Sequence, residues 1–169
     1  MSELREIKPQ QIVDNVFKLI GKDWMLITAG TLDHYNTMTA SWGGLGLLWN
    51  APVAFVFIRP QRHTLPFVVA AEYFSLCFFD EVYRDALSYC GTHSGRDVDK
   101  AAATGLSPVA GDSGIVHFAQ ARLVLECRKL YVQDLLQACF VESRIPQATY
   151  AAGDYHRMFV GEIVQCLAR

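Results

Sequence analysis

The chain has 169 residues, of which 51% are hydrophobic and 19% are charged, and its formal net charge at pH 7 is −2. A chain of this length and composition is expected to fold as one compact domain over residues 1–169. The small negative charge argues against a nucleic-acid partner, because such binding depends mainly on neutralising phosphates. No apolar run approaches the roughly 18 residues of a membrane span, and residues 1–10 lack the apolar stretch of a signal peptide. We therefore expect a cytoplasmic protein that does not enter a membrane.

The cysteines and histidines do not predict a metal site. Five cysteines lie at positions 77, 90, 127, 139 and 166. They form no Cys-x-x-Cys pair and their number is odd, so neither a zinc site nor a complete set of disulfides is indicated. The histidines likewise lack a recognisable ligand spacing. We expect no metal, and buried, reduced thiols.

The first half of the chain alternates short strands with turns. Apolar residues at three- and four-residue steps predict an amphipathic helix over 9–20, which Gly21 would end. Strands are predicted over residues 24–30, 38–42 and 53–58. The last of these is apolar throughout and is expected to be covered on both faces. The glycines of residues 43–46 lack the spacing of a dinucleotide fingerprint and predict a tight corner instead.

The second half also favours strands. A short helix is predicted over 65–71 with Thr64 as its cap. Further elements are a strand over 74–79, helices over 83–90 and 98–104, a long strand over 115–132, a short helix over 135–140, a loop over 143–154 and a final strand over 155–167. The long strand is expected to show Leu125 and Cys127 on one face, and Glu126 and Arg128 on the other. Short strands with corner glycines predict a small, mainly β barrel rather than a βαβ fold.

Two arginines and a threonine directly follow the apolar strand that ends at residue 58. Arg59 and Arg62 each offer a planar fork of donors that matches phosphate oxygens, and Thr64 adds a hydroxyl. This arrangement predicts a phosphate-binding segment. The alternative is that both arginines are solvated surface ions.

The segment 36–42 has a different pattern. Thr39 and Ser41 alternate with Met38, Ala40 and Trp42. This alternation is typical of a half-covered strand whose hydroxyls pair with neighbouring strands. The functional alternative is a strand edge that runs beside a flat ligand.

Together these segments resemble the flavin reductase-like family, whose members bind FMN in a split β-barrel. The matching residues are Asn36-x-Met38-Thr39-x-Ser41-Trp42-Gly43-Gly44, Pro52, Arg59-Pro60-x-Arg62-x-Thr64, Ser94-Gly95-Arg96-Asp97-x-Asp99-Lys100, Leu125-Glu126-Cys127 and His156-x-x-Phe159-x-Gly161-Glu162-Ile163. The resemblance spans most of the chain and rests on the order of the motifs. It implies a single FMN-binding split-barrel domain over residues 1–169.

The resemblance also implies which residues contact the cofactor. The ring would be lined by Asn36, Met38, Thr39, Ala40, Ser41 and Trp42, and the phosphate would be held by Arg59, Arg62 and Thr64. Lys100 would supply positive charge near the flavin. The chain departs from the family at Ala101, where an aromatic residue is common, and this departure puts the role of Lys100 in question.

The implied function is that of a flavin reductase, which transfers electrons from NAD(P)H to flavin. FMN carries the chemistry itself, so no catalytic triad or carboxylate pair is required. His156 is a candidate for contact with the ring or the nicotinamide, and the alternative is a core histidine with a satisfied hydrogen bond. Two other functions stay open, namely a flavoredoxin-like electron carrier and a redox-inactive split-barrel binding module. The family further implies a homodimer with the flavin near the interface.

Overall fold

The computed structural model describes residues 3–111 and 114–169. Its strands are β1 Arg5–Glu6, β2 Met25–Thr31, β3 His34–Ala40, β4 Gly43–Leu48, β5 Ala51–Ile58, β6 Tyr73–Phe78, β7 Pro108–Ala110, β8 Val116–Phe118, β9 Leu123–Asp134 and β10 Arg157–Ala168. Its α-helices are α1 Val16–Lys18, α2 Thr64–Ala70, α3 Arg84–Thr92, α4 Lys100–Thr104 and α5 Arg144–Thr149. A π-helical turn spans Leu19–Asp23, and 3₁₀ helices span Pro9–Gln11, Glu81–Tyr83 and Gln137–Cys139, the last within the segment predicted as a helix over 135–140. The prediction of a mainly β chain with a few short helices is confirmed. None of the helices described here has the length and apolar character needed to cross a membrane.

Most strands belong to one antiparallel sheet. Its order within the described residues is β3, β2, β6, β9, β10, β5, β4, and β1 also pairs with β10. The strands β7 and β8 form a separate hairpin. The turn between β4 and β5 consists of Trp49 and Asn50, whose φ angles of 51° and 59° are both positive. Two consecutive turn residues with positive φ match the twist of the flanking strands, so a two-residue turn can close the hairpin.

Two apolar clusters cover the opposite faces of the central strands. Ile27, Leu76 and Leu125 belong to one cluster. Their chain neighbours Leu26, Cys77 and Val124 belong to the other, together with residues of α3, α4 and β8. Because side chains alternate along a strand, β2, β6 and the first half of β9 are buried on both faces. This double burial makes the strands next to β3 a rigid support.

The prediction of one half-exposed strand over 115–132 is wrong. The chain forms β8, turns at residues 119–120, and starts β9 only at Leu123. Residues 123–127 are all buried, and Glu126 is fully buried with Oε1 3.3 Å from Nδ1 of His117. The reason is that α3, α4 and β8 cover the face that the polar side chains were expected to expose.

The prediction of a continuous helix over 9–20 is also wrong. A 3₁₀ turn spans Pro9–Gln11, the backbone is extended at Ile12, and Asn15 caps the short helix α1 by accepting a hydrogen bond from Lys18 N at 3.1 Å. Val13 and Phe17, which were expected to be buried, are 96% and 89% exposed. Contacts with the rest of the fold hold this segment instead, because Ile12 and Val16 pack against the core and Asp14 pairs with Arg122.

Three smaller differences concern segments that flank the site. The glycines of residues 43–46 lie in β4 rather than in a corner, and the segment 143–154 contains α5 rather than only a loop. Helix α2 begins at Thr64, which makes no capping bond to the helix. Cys139 is exposed, whereas the other four cysteines are buried as expected.

Candidate functional site

Two neighbouring clefts contain the residues that the sequence singled out. The first, which we call the polar cleft, has a volume of about 370 Å³ and is lined by Asn36, Met38, Arg59, Gln61, Arg62, His63, Thr64, Thr92, His93, Ser94, Gly95 and Lys100. The second, which we call the Trp42 cleft, has a volume of about 230 Å³ and is lined by Met38, Thr39, Ala40, Ser41, Trp42, Phe57, Arg59, Arg62 and His156. Met38, Arg59 and Arg62 line both clefts, so the two clefts adjoin.

All of the residues predicted to contact a cofactor line one or both clefts, although they come from distant parts of the chain. Strand β3 and the two residues after it supply the segment 36–42. The turn between β5 and α2 supplies the segment 59–64. The loop before α4 supplies Ser94 and Gly95, and β10 is preceded directly by His156.

A buried hydrogen bond joins β3 to α2 at the floor of the polar cleft. Nδ2 of Asn36 donates to Oγ1 of Thr64 at 2.8 Å, and both side chains are buried. Leaving either group without its partner would cost the desolvation energy of a buried polar group. The bond therefore fixes the position of the α2 start relative to β3.

The loop before α4 closes against the same asparagine. A Cβ atom on Gly95 would lie 1.9 Å from Oδ1 of Asn36. Only glycine allows this approach without moving a buried side chain. Gly95 thus brings the backbone of the loop into the wall of the polar cleft, which also contains Ser94.

Lys100 is a buried cation in the polar cleft. Its Nζ donates to the carbonyl oxygens of Thr37 and Cys90, each at 2.8 Å. Burial lowers the pKa of Lys100 from its ordinary value; Cys90 opposes this lowering and the charge of Arg62 adds to it. An ammonium has three donors. Two are used by backbone oxygens, and the third makes no hydrogen bond with any residue in the described ranges.

The two arginines are held differently. Arg62 donates one bond, from Nη1 to the carbonyl oxygen of Gly91 at 2.8 Å. Arg59 forms an ion pair with Asp154, donates from Nη2 to the carbonyl oxygen of Thr149 at 3.1 Å, and lies over the ring of Tyr150. Arg62 therefore keeps more donors for an external anion than Arg59, a difference that the sequence did not reveal.

The hydroxyls of β3 also differ. Thr39 donates its hydroxyl proton to the carbonyl oxygen of Leu87 in α3. The Ser41 hydroxyl has no hydrogen-bond partner in the part of the chain that the structure describes. Of the two hydroxyls expected beside a flat ligand, Ser41 is thus the one whose proton is available.

A histidine lies in each cleft. Nδ1 of His63, in the polar cleft, is buried and makes no hydrogen bond within the described residues. Burial, and then the charges of Arg96 and Lys100, lower the pKa of His63. In the Trp42 cleft, Nδ1 of His156 lies 2.7 Å from the Tyr150 hydroxyl. Burial, and to a smaller extent the charge of Arg59, lowers the pKa of His156 to about 4. His156 is therefore neutral near pH 7.

Sequence reasoning missed several residues of these clefts. Ser94 and Gly95 stood within a quoted motif, so the motif was the signal, although no role was given to either residue. Tyr150 and Asp154 lay in a segment interpreted as a loop, and no local pattern marks them. Their importance follows from contacts of both residues with Arg59 and of Tyr150 with His156.

The family of the chain is established by a family model. The model described as flavin reductase like domain matches residues 18–169. The chain belongs to the flavin reductase-like family. A search of curated proteins found no significant match.

Solved structures of this family share the fold. An FMN-binding protein from Thermus thermophilus with bound p-hydroxybenzaldehyde is 24% identical, with a TM-score of 0.70 over 98% of this chain and 82% of that one. A flavoredoxin from Methanosarcina acetivorans is 21% identical, with a TM-score of 0.67 over 99% and 76%. An NADH:FAD oxidoreductase from Streptomyces globisporus, in complex with NAD and FAD fragments, is 18% identical, with a TM-score of 0.63 over 85% and 73%. The predicted split barrel is confirmed.

Proposed function

We propose that the protein binds FMN across the two clefts and transfers electrons from NAD(P)H to flavin. The observation that carries this proposal is the convergence of the phosphate-type residues and the β3 segment on two adjoining clefts. The phosphate would lie in the polar cleft and the ring in the Trp42 cleft. The proposal also takes residues 1–169 as one domain of a cytoplasmic protein.

The residues of the polar cleft fit a phosphate group. Arg62 and Lys100 bring positive charge and N–H donors that no described residue uses. Asn36 and Thr64 hold the cleft in shape through their buried hydrogen bond. Charged donors fixed in advance favour an anion because they need no reorganisation when it binds.

The residues of the Trp42 cleft fit one face of a flat ring. Ser41 offers a hydroxyl proton, and Trp42 and His156 form an aromatic wall with ring centroids 5.1 Å apart. A bound FMN would accept hydride at N5 and pass electrons onward, so the chain has to supply only binding, orientation and charge. Trp42 is 50% exposed, which leaves room beside the cleft for a pyridine nucleotide.

Exposed apolar residues near the Trp42 cleft favour a homodimer as the working form. Leu47 and Trp49 are 76% and 59% exposed, and they lie on or next to β4, which ends the sheet order. Contiguous exposed apolar surface marks interaction sites. A second copy on this face would bring the flavin close to the interface.

The second candidate function is that of a flavoredoxin-like electron carrier. Flavoredoxins from Methanosarcina acetivorans and Desulfovibrio vulgaris share the fold with this chain at TM-scores of 0.67 and 0.68. In such a carrier, FMN would exchange electrons with protein partners, and a nicotinamide would not be the donor.

One experiment separates these functions. The protein is titrated with FMN and, in parallel, with riboflavin, which lacks the phosphate, and the complex is then mixed anaerobically with NADH or NADPH. Tighter binding of FMN than of riboflavin, followed by bleaching of the flavin absorbance, is the expected result. Binding without bleaching would favour the carrier. Absence of flavin binding would contradict both functions and favour a redox-inactive binding module.

A further inference from the structure

Tyr150 connects the two residues that flank the Trp42 cleft on its far side. Its hydroxyl oxygen lies 2.7 Å from Nδ1 of His156, and its ring lies 5.3 Å from the guanidinium carbon of Arg59. Thr149 and Asp154, from the same segment, bind Arg59 through a carbonyl oxygen and a carboxylate. Arg59 therefore anchors the segment that carries Tyr150, and Tyr150 in turn contacts the histidine.

Burial favours one direction for the hydrogen bond between Tyr150 and His156. Tyr150 is only 6% exposed, so its O–H needs an acceptor inside the protein. Among the described residues, the partner of this hydroxyl is Nδ1 of His156. A bond in which the phenol donates to Nδ1 gives this O–H its acceptor and leaves the proton of the neutral imidazole on Nε2.

We propose that Tyr150 is a positioning residue that holds His156 in the Nε2–H form, so that the Trp42 cleft presents a hydrogen-bond donor to its ligand. The proposal deepens the proposed function and rests on it for the identity of that ligand. A fixed donor selects a ligand with an acceptor, and the carboxamide oxygen of a nicotinamide that lies against the flavin is such an acceptor. Within the described residues Nε2 makes no hydrogen bond, so it is available to such an oxygen.

The groups around His156 keep this arrangement near neutral pH. Arg59 and Arg62 disfavour a positive charge on the imidazole, and Asp154 favours one. Trp42 covers one side of the ring, and Tyr150 meets it edge-on with centroids 5.5 Å apart. The two arginines and burial outweigh the single carboxylate. His156 therefore stays neutral and donates through one fixed nitrogen.

The test uses Tyr150→Phe, which removes only the hydroxyl, and Tyr155→Phe as the matched control. Tyr155 belongs to the same aromatic cluster, with its ring 4.8 Å from that of Tyr150. Nitrogen-15 NMR of the histidines, recorded on the protein without flavin, reports which nitrogen carries the proton. We expect the Nε2–H form for His156 in the wild type and in Tyr155→Phe, and a mixture of both forms in Tyr150→Phe. A protonated Nδ1 in the wild type would overturn the proposal.

Kinetics give a second, independent readout. In the FMN-loaded protein, Tyr150→Phe is expected to slow reduction by NAD(P)H roughly ten-fold, the value of one hydrogen bond, with FMN affinity unchanged within about two-fold. In a His156→Gln background, which lacks the imidazole that Tyr150 orients, Tyr150→Phe should have no further effect. An equal loss in both backgrounds would overturn the proposal. If NAD(P)H reduces neither protein but NMR shows the expected forms, the flavin reductase function fails and the positioning of His156 stands.

Discussion

The polar cleft and the Trp42 cleft adjoin, yet they are built in opposite ways. Side chains buried in the fold tie the polar cleft together, through the Asn36–Thr64 bond and the two bonds from Lys100 to backbone oxygens. The Trp42 cleft is bounded by a half-exposed tryptophan and by His156, which is held in place by the surface segment around α5. The polar cleft is thus enclosed by buried side chains, whereas the Trp42 cleft has one half-exposed wall.

This difference suggests a division of labour. The phosphate of FMN takes no part in electron transfer, so a rigid set of donors can bind it tightly. The partners that exchange electrons with a flavin differ, and they must reach the ring. A wall that includes the half-exposed Trp42 leaves the ring accessible to such partners. The residues around the ring can then differ while the phosphate-binding residues stay the same.

The largest expected effect tests phosphate binding in the polar cleft. Replacing both Arg59 and Arg62 by alanine should weaken FMN binding roughly 100-fold or more, because each charge-assisted hydrogen bond contributes about 1.5–3 kcal/mol. Arg62→Ala alone should lose more than Arg59→Ala alone, since the donors of Arg59 are engaged by Asp154 and Thr149. Fluorescence titration with FMN and riboflavin measures both affinities.

Arg157→Ala provides the matched control for these variants, because Arg157 pairs with Asp134 on the surface and lines neither cleft. Its FMN affinity should equal that of the wild type. Riboflavin affinity should change far less than FMN affinity in the double variant. Unchanged FMN affinity in the double variant would refute the assignment of the phosphate to the polar cleft.

The next effect concerns pH and the histidine of the Trp42 cleft. The pKa of His156 is about 4 in the folded protein, against an ordinary value of 6.5. Below pH 6.5 the unfolded chain therefore binds a proton that the folded chain does not, and stability falls as the pH drops towards 4. The loss attributable to His156 is up to about 3 kcal/mol.

Urea unfolding at pH 7 and pH 4.5 measures this loss in the wild type and in His156→Gln. The variant has no titrating imidazole at this position, so its free energy of unfolding should fall less between the two pH values. An equal fall in both proteins would show that His156 does not contribute to the acid sensitivity.

A third prediction tests the buried hydrogen bond of the polar cleft. Thr64→Val keeps the shape of the side chain but removes the acceptor of the buried Asn36 amide, so the free energy of unfolding should fall by about 1–3 kcal/mol. Thr92→Val is the control, because the exposed Thr92 hydroxyl bonds to backbone oxygens that water also reaches. Its stability should change little. Urea unfolding at pH 7 measures the free energy of unfolding of both variants.

The smallest effect is expected at Trp42. The indole is 50% exposed, so Trp42→Leu should lower the free energy of unfolding by about 1 kcal/mol or less. A loss as large as that of Thr64→Val, again by urea unfolding, would mean that both clefts are equally rigid and would remove the contrast between them.

Local patterns predicted the segments that form the clefts. The strand interpreted over 53–58 is found as Ala51–Ile58, so the turn with Arg59 and Arg62 lies where it was expected. The strand predicted over 38–42 is found as His34–Ala40, so Ser41 and Trp42 follow β3 instead of lying in it. The motif at Ser94 came from the family resemblance. Gly161, part of another motif, has a packing reason, because a Cβ atom there would lie 2.6 Å from Cζ of Phe74.

Long-range contacts account for what the sequence did not predict. Glu126 looked like a residue of an exposed face, yet α3, α4 and β8 bury that face, and no strand pattern reports what another element covers. Tyr150 and Asp154 acquire their roles from contacts with Arg59 and His156. The helix expected over 9–20 is interrupted where the segment makes long-range contacts, such as the ion pair between Asp14 and Arg122.

The unequal exposure of the thiols gives direct experimental access to the surface segment. Cys77 and Cys166 are buried, which raises their pKa values to about 12 and about 11, whereas Cys139 is exposed and lies shortly before α5. A maleimide dye would therefore attach to the native chain at Cys139 without any engineered substitution. Its emission would follow movements of the segment around α5 in real time, while a ligand binds to the Trp42 cleft or leaves it.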